Sequence, residues 1–339
     1  GAGKGFARLH QEVDSDGDGF ADSTNEGDTF GFTRAAYPIG TASAGVPFAT
    51  ASLGTAMITG VSADSLTLDR AAPSFGGASC YLEVTRGANE GQRIEIDEEA
   101  STGGRLVIEA NAARNTLATI PASLVGDTIA IRVHRTVSEI FPETLFRGTS
   151  QRSTADRLLF YNGSTFEALW LWKRADGYQQ WTREDDATLA NAGGRIIDET
   201  EGVLVQARSA PVSLTFSGIV RANAISLPLK AGTKLIANPW PGSHSPNSPG
   251  MTLANGFAGN RIATSADQIH IWKGDAATGT TGYATHYLLN SGPLQQWTAT
   301  GDASLANLND ALLFGPMRAA FIKTVADKPG FVVPQVWRP

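Results

Sequence analysis

Residues 14–22 read Asp-Ser-Asp-Gly-Asp-Gly-Phe-Ala-Asp. Carboxylates fall at loop positions 1, 3, 5 and 9 with glycine at position 6, the spacing that wraps one calcium ion in alternating oxygens around a sharp turn. Asp14, Asp16 and Asp18 are the expected direct ligands. Phe20 would lend its backbone carbonyl, and Asp22 would bind directly or through a water. Asn25 stands where a bidentate glutamate normally closes the loop, and Glu26 follows one residue later, so a modest affinity is expected. Without an ion, the same residues are a solvated acidic, glycine-rich arm.

The residues that could do covalent or acid–base chemistry do not gather in the sequence. The five histidines His10, His134, His244, His270 and His286 are scattered with no metal-ligand spacing. Gly242-Ser243-His244-Ser245-Pro246 lacks the strand–turn–helix setting of a nucleophile elbow and reads as a polar loop. Gly1-Ala2-Gly3-Lys4-Gly5 has no strand before it and no Ser or Thr after the lysine, which excludes a phosphate loop. The acidic pairs Glu98-Glu99 and Asp185-Asp186 sit in polar turn segments and read as solvated loops rather than glycosidase carboxylates. The expectation is a protein that is not an enzyme. The single cysteine, Cys80, precedes Tyr81-Leu82-Glu83-Val84 and reads as a buried strand thiol.

Seven tryptophans offer a second kind of site, an aromatic surface for polysaccharide. Trp170 and Trp172 alternate with Leu169 and Leu171, so either face of that strand could be the exposed one. Trp240 and Trp337 lie beside prolines or near the chain end and are candidates for an interface. Trp181 and Trp297 recur at matching places and are expected in cores.

The elements that must position these residues are short strands. The chain has 339 residues, 18% charged and 37 of them glycine, a composition that favours strands and turns. A net charge of −6 with no basic stripe excludes nucleic acid as the expected partner. No apolar run is long enough to span a membrane, and the small residues Gly1-Ala2-Gly3 fit a mature, processed N-terminus. The body is written twice. Ala155–Gly163 parallels Ala266–Gly274, Gln179-Gln180-Trp181-Thr182 returns as Gln295-Gln296-Trp297-Thr298, and Leu189-Ala190-Asn191 returns as Leu305-Ala306-Asn307. Gly31–Ala35 likewise parallels Gly218–Ala222. Single helical turns are expected at Ala187–Asn191 and Ala303–Asn307, behind Asp186 and Asp302 as N-caps. The first copy carries an insertion over about residues 52–140, where six strands of alternating pattern could curl into a small barrel.

Three segments carry a family resemblance. Tyr81–Arg93 (YLEVTRGANEGQR), Gly126–Thr136 (GDTIAIRVHRT) and Arg221–Pro239, with its Leu227-Pro228-Leu229 and Leu235-Ile236-Ala237-Asn238-Pro239, appear in that order. Together they resemble a family of secreted paralogous proteins abundant in verrucomicrobial genomes, with Val133 and Arg135 departing from its pattern. The resemblance implies export and an extracellular or cell-surface life, and it implies no reaction. The acidic loop lies outside it and resembles the thrombospondin or dockerin type.

The expected architecture is all-β: duplicated β-sandwich-like modules over residues 31–217 and 218–339, an inserted small β-barrel, and an extended N-terminal arm over 1–30. The expected role is a non-enzymatic structural subunit of an extracellular filament, surface layer or matrix. In this picture the arm, anchored by Phe6 and Leu9, docks on a neighbouring copy and Ca2+ stabilises the assembly. The alternative is a cell-surface polysaccharide-binding module or adhesin.

Overall fold

The computed structural model describes residues 29–46, 48–109, 112–117, 119–273 and 282–334. It is all-β. Strands β1 (Thr29–Tyr37) and β2 (Gly40–Ala44) come first. The insertion follows as β3 (Ser52–Val61), β4 (Ser65–Leu68), β5 (Cys80–Arg86), β6 (Arg93–Thr102), β7 (Arg105–Ile108) and β8 (Thr128–Val133). The first module resumes with β9 (Arg135–Thr136), the short helix α1 (Val137–Ile140), β10 (Arg157–Tyr161), β11 (Phe166–Lys173), β12 (Gln179–Arg183), β13 (Ile196–Ile197) and β14 (Val203–Ala207). The second contains β15 (Val212–Val220), β16 (Ile225–Ser226), β17 (Gly232–Ala237), β18 (Gln268–Trp272), β19 (Tyr283–Ser291), β20 (Leu294–Ala299), β21 (Ala319–Thr324) and β22 (Val332–Val333).

The duplication is visible in topology. One sheet runs β12-β11-β10-β14-β2 and the other β20-β19-β18-β21-β17, the same order of equivalent strands. Alternation along each strand sends its apolar residues to two separate cores. Leu158, Phe160, Val203 and Val205 face the first module's core, which the antiparallel ribbon β1–β15 covers with Tyr37, Leu214 and Phe216. Ile269, Leu288, Ala320 and Ile322 face the second core, capped by the β16–β22 ribbon through Ile225 and Val333. The opposite faces meet between the modules, where Leu159, Tyr161 and Leu204 pack on Leu235, Ala319 and Phe321. The approach is close: a Cβ on Gly202 would lie 2.6 Å from the Cβ of Ala319, so only glycine fits.

Small details repeat as well. The indole N–H of Trp181 donates to the carbonyl of Phe141 at 2.7 Å, and that of Trp297 to the carbonyl of Met251 at 2.7 Å. Gln180 and Gln296 each donate to the carbonyl of a leucine, Leu189 and Leu305, at 2.5 Å. These leucines correct one expectation. No helical turn forms at 187–191 or 303–307, because Leu189 and Leu305 hold φ of 57° and 51°. Asp186 and Asp302 instead accept the backbone N–H groups two and four residues on, an aspartate-ordered turn.

The insertion is a closed barrel in the order β3-β4-β7-β6-β5-β8. Leu82, Val84, Ile94, Ile96, Ile129 and Ile131 fill it. Cys80 is buried in the same cluster, where burial, aided by Glu98, pushes its thiol up to about 12, so it stays protonated.

Candidate functional site

On the barrel strands, every second residue points away from the apolar interior. In β5 these are Tyr81 and Glu83, in β6 Arg93 and Glu95, and in β8 Arg132. Such positions normally meet water. Here Tyr81, Glu83, Glu95 and Arg132 are buried, because the chain after β15 and the turn before β14 lie against them. Docking starts from backbone: Ser226 N–H donates to the Gly91 carbonyl at 2.8 Å, and Ala224 N–H to a Glu90 carboxylate oxygen at 2.8 Å. Gly91 has φ of 88°, and a Cβ there would lie 2.9 Å from the Ala224 carbonyl. The β5–β6 turn is itself shaped by Asp127, which accepts from the N–H groups of Ala88 and Asn89 at 2.8 and 3.1 Å.

The buried charges then pair across the junction. Glu83 accepts from Arg132 Nε at 2.7 Å and from Asn223 at 2.9 Å, and it pairs with Arg221. Glu199 pairs with Arg221 and accepts the Tyr81 hydroxyl at 2.5 Å. Arg93 lies over the Tyr81 ring, 5.1 Å from its centroid, and meets Asp198 at 2.8 Å. Glu95 and His134 share a bond of 2.6 Å, with Arg114 at 3.4 Å from the same oxygen. His134 therefore has an acidic partner that its position in the sequence did not disclose. The useful signal was period-two alternation that put charged residues among β-formers on three neighbouring strands. Three separate stretches of the chain contribute to this junction: Tyr81, Glu83 and Arg93 from 81–93, Arg132 and His134 from 126–136, and Arg221 and Asn223 from 221–239.

The chemistry on offer is mostly clamping. Each of Glu83, Glu95 and Glu199 serves at least two donors, and the Glu95–His134 pair is shielded from solvent, each side chain 3% exposed. Burial alone would raise the Glu95 carboxyl, but the His134 hydrogen bond and the charges of Arg93 and Arg114 outweigh it and hold it below the ordinary 4.5. A carboxyl depressed by folding contributes stability that is complete above the unfolded value and is lost as pH falls through the folded one. The urea midpoint should therefore drop on acidification below pH 4.5, and Glu95→Gln should flatten that drop. An unchanged slope in the variant would assign acid sensitivity to other carboxylates.

The expected aromatic sites fall differently. Trp240 is 3% exposed and sits in the second core beside Met251, so it presents no interface. Trp170 is 3% exposed and Trp172 half-buried, because Leu169 and Leu171 take the core side of β11 and the tryptophan side is largely covered too. The accessible rings are others. Phe166 and Tyr283 are 42% and 41% exposed, and edge-to-face contacts join Tyr161, Phe166, Phe321, Tyr283 and Trp272 across the seam between the modules. The Trp272 indole also bonds the Thr41 carbonyl of the first module at 2.5 Å. His270 packs against Thr285 at 3.0 Å, and burial, with Lys323, keeps its imidazole below the usual histidine value.

The calcium-type residues Asp14, Asp16, Asp18, Phe20, Asp22, Asn25 and Glu26, with Phe6, Leu9 and Trp337, lie outside the described residues. Among the described residues no group of three or more His, Cys, Asp or Glu could hold a metal, and no helix is long and apolar enough to cross a membrane. Scans against family models, curated proteins and solved structures find no match to this chain.

Proposed function

We infer that this chain is a non-enzymatic structural subunit of an extracellular filament, surface layer or matrix, whose assembly is stabilised by calcium. One observation carries the reading. Among the described residues β1 pairs only with β15, so a nine-residue strand leaves its other edge unpaired. The edge has none of the usual protections: no proline, no bulge, and one charge, Arg34. Such an edge accepts an added strand. Residues 1–28 lead directly into it, and 28 extended residues span roughly 90 Å, ample for reaching a second copy. The calcium loop falls inside that reach, so an ion that binds only the docked arm favours assembly by mass action. The family resemblance, with its implied export, belongs to the same proposal.

Light scattering and negative-stain microscopy test it. The full chain with calcium should form regular polymers, and excess chelator should shorten or dissolve them. A chain lacking residues 1–28 should stay at single-chain mass. Normal assembly by that truncated chain would overturn the docking idea. The half-exposed band of Phe166, Tyr283 and Trp272 favours a second reading, polysaccharide binding at the cell surface, since sugar rings stack on such faces. Glycan retention lost on Phe166→Ala and Tyr283→Ala is its expected signature.

A further inference from the structure

Beside the buried ion pairs, a cleft of about 90 Å³ opens between the barrel and the two modules. That is room for several waters or one small oxyanion. Its walls carry Arg93, Arg114 and Thr116 from the barrel side, and Asp198, Ser226 and Lys234 from the other. Glu83 and Glu199 also reach it, but their oxygens are engaged by the arginines, Asn223 and Tyr81 described above. Asp198 is held by Arg93 at 2.8 Å. Apart from Asp198 Oδ1, which has this ion pair but no aligned hydrogen bond, what remains is a set of donors. The Nε groups of Arg93 and Arg114 are buried without a hydrogen-bond partner, and so is the hydroxyl of Ser226, a residue only 4% exposed. A buried donor left unsatisfied costs more than a net hydrogen bond returns, so a site of this composition favours an acceptor-only guest. Charge points the same way: four cationic side chains and three carboxylates line the cleft, a local positive excess in a chain of net charge −6.

We propose that the barrel–module cleft binds a small oxyanion, phosphate, sulfate or a carboxylate, through Arg93, Arg114, Ser226 and Lys234. The site stands apart from the β1 edge, so its failure leaves the assembly reading untouched. Calorimetric titration of the full chain with sodium sulfate, at ionic strength held constant with chloride, should give saturable binding at one site per chain. Lys234→Gln at the rim and Ser226→Ala in the wall should each weaken it, the lysine change by about tenfold, the scale of one charged hydrogen bond. Arg183→Gln, which alters a surface ion pair elsewhere, should leave it unchanged. A sulfated oligosaccharide binding at least tenfold tighter than sulfate would identify a polymer-borne anion, and equal affinities a free one. Heat that never saturates, or affinity equal in the wild type and both cleft variants, would overturn the proposal.

Discussion

Replacing Arg221 with methionine will destabilise the chain by about 3–5 kcal/mol, the usual cost of leaving buried carboxylates without their cation. Arg221 is 3% exposed and pairs with both Glu83 and Glu199, one on the barrel and one on the first module. Methionine matches much of its volume but returns no charge. Glu83 keeps Arg132, so Glu199, left with Tyr81 and a distant Arg93 at 3.9 Å, carries most of the penalty. Adding Glu199→Gln to Arg221→Met should therefore recover part of the loss, a coupling that a double-mutant cycle reads directly. The unfolding curve should also change shape. The barrel has its own closed core and is tied to the modules through this junction, so weakening the tie should separate its transition from theirs. A single cooperative transition displaced by only about 1 kcal/mol, the ordinary effect of a mutation, would mean the junction is held by its backbone bonds instead.

The same junction marks the limit of what the chain discloses on paper. The strands were legible because period-two alternation and turn residues are local: the six strands expected in the insertion form, Arg105–Ile108 and Thr128–Val133 among them. The duplication was legible because Trp181 and Trp297 each sit behind Gln-Gln and before Thr. At 187–191 and 303–307 the expected helical turn gives way to an aspartate turn, because an aspartate before a short run serves an N-cap or an aspartate turn equally well. The choice falls to the glutamine that holds Leu189 or Leu305 in a left-handed conformation. Helix α1 is only four residues long, too short for a helical period to show, and its one local signal is the capping box of Thr136 and Glu139. The ion network escaped for a different reason. Glu83 and Arg221 are far apart in sequence, and nothing local shows that an outward-facing strand residue will be covered by another module. Burial of a polar face is a tertiary event. The tryptophans erred for the same cause: proline neighbours suggested a surface for Trp240, while the turn ordered by Asn238, which accepts the Trp240 N–H at 3.1 Å, folds the ring into the core.

Trp181→Ala and Trp297→Ala should each cost about 3–5 kcal/mol, the range for removing a large buried ring, and the two costs should agree closely. The two rings are 0% and 1% exposed. Each fills the core behind its own sheet and donates its indole N–H to a main-chain carbonyl at 2.7 Å. Trp→Phe separates the two contributions. It retains most of the buried ring but leaves the carbonyl of Phe141 or Met251 unsatisfied, at a cost of about 1–3 kcal/mol plus a small void. Equal penalties at both sites, measured by denaturant unfolding, would mean that what the duplication preserved is a packing unit: ring, carbonyl and the aspartate turn beside it. Unequal penalties would say that one copy has shifted its core onto other residues. The first module has the means, since Phe146 packs edge-to-face on Trp181 at 5.2 Å, whereas Trp297 has no such ring contact among the described residues. A smaller loss at Trp181 would therefore identify Phe146 as the compensating group. Phe146→Leu combined with Trp181→Ala should then restore the full penalty.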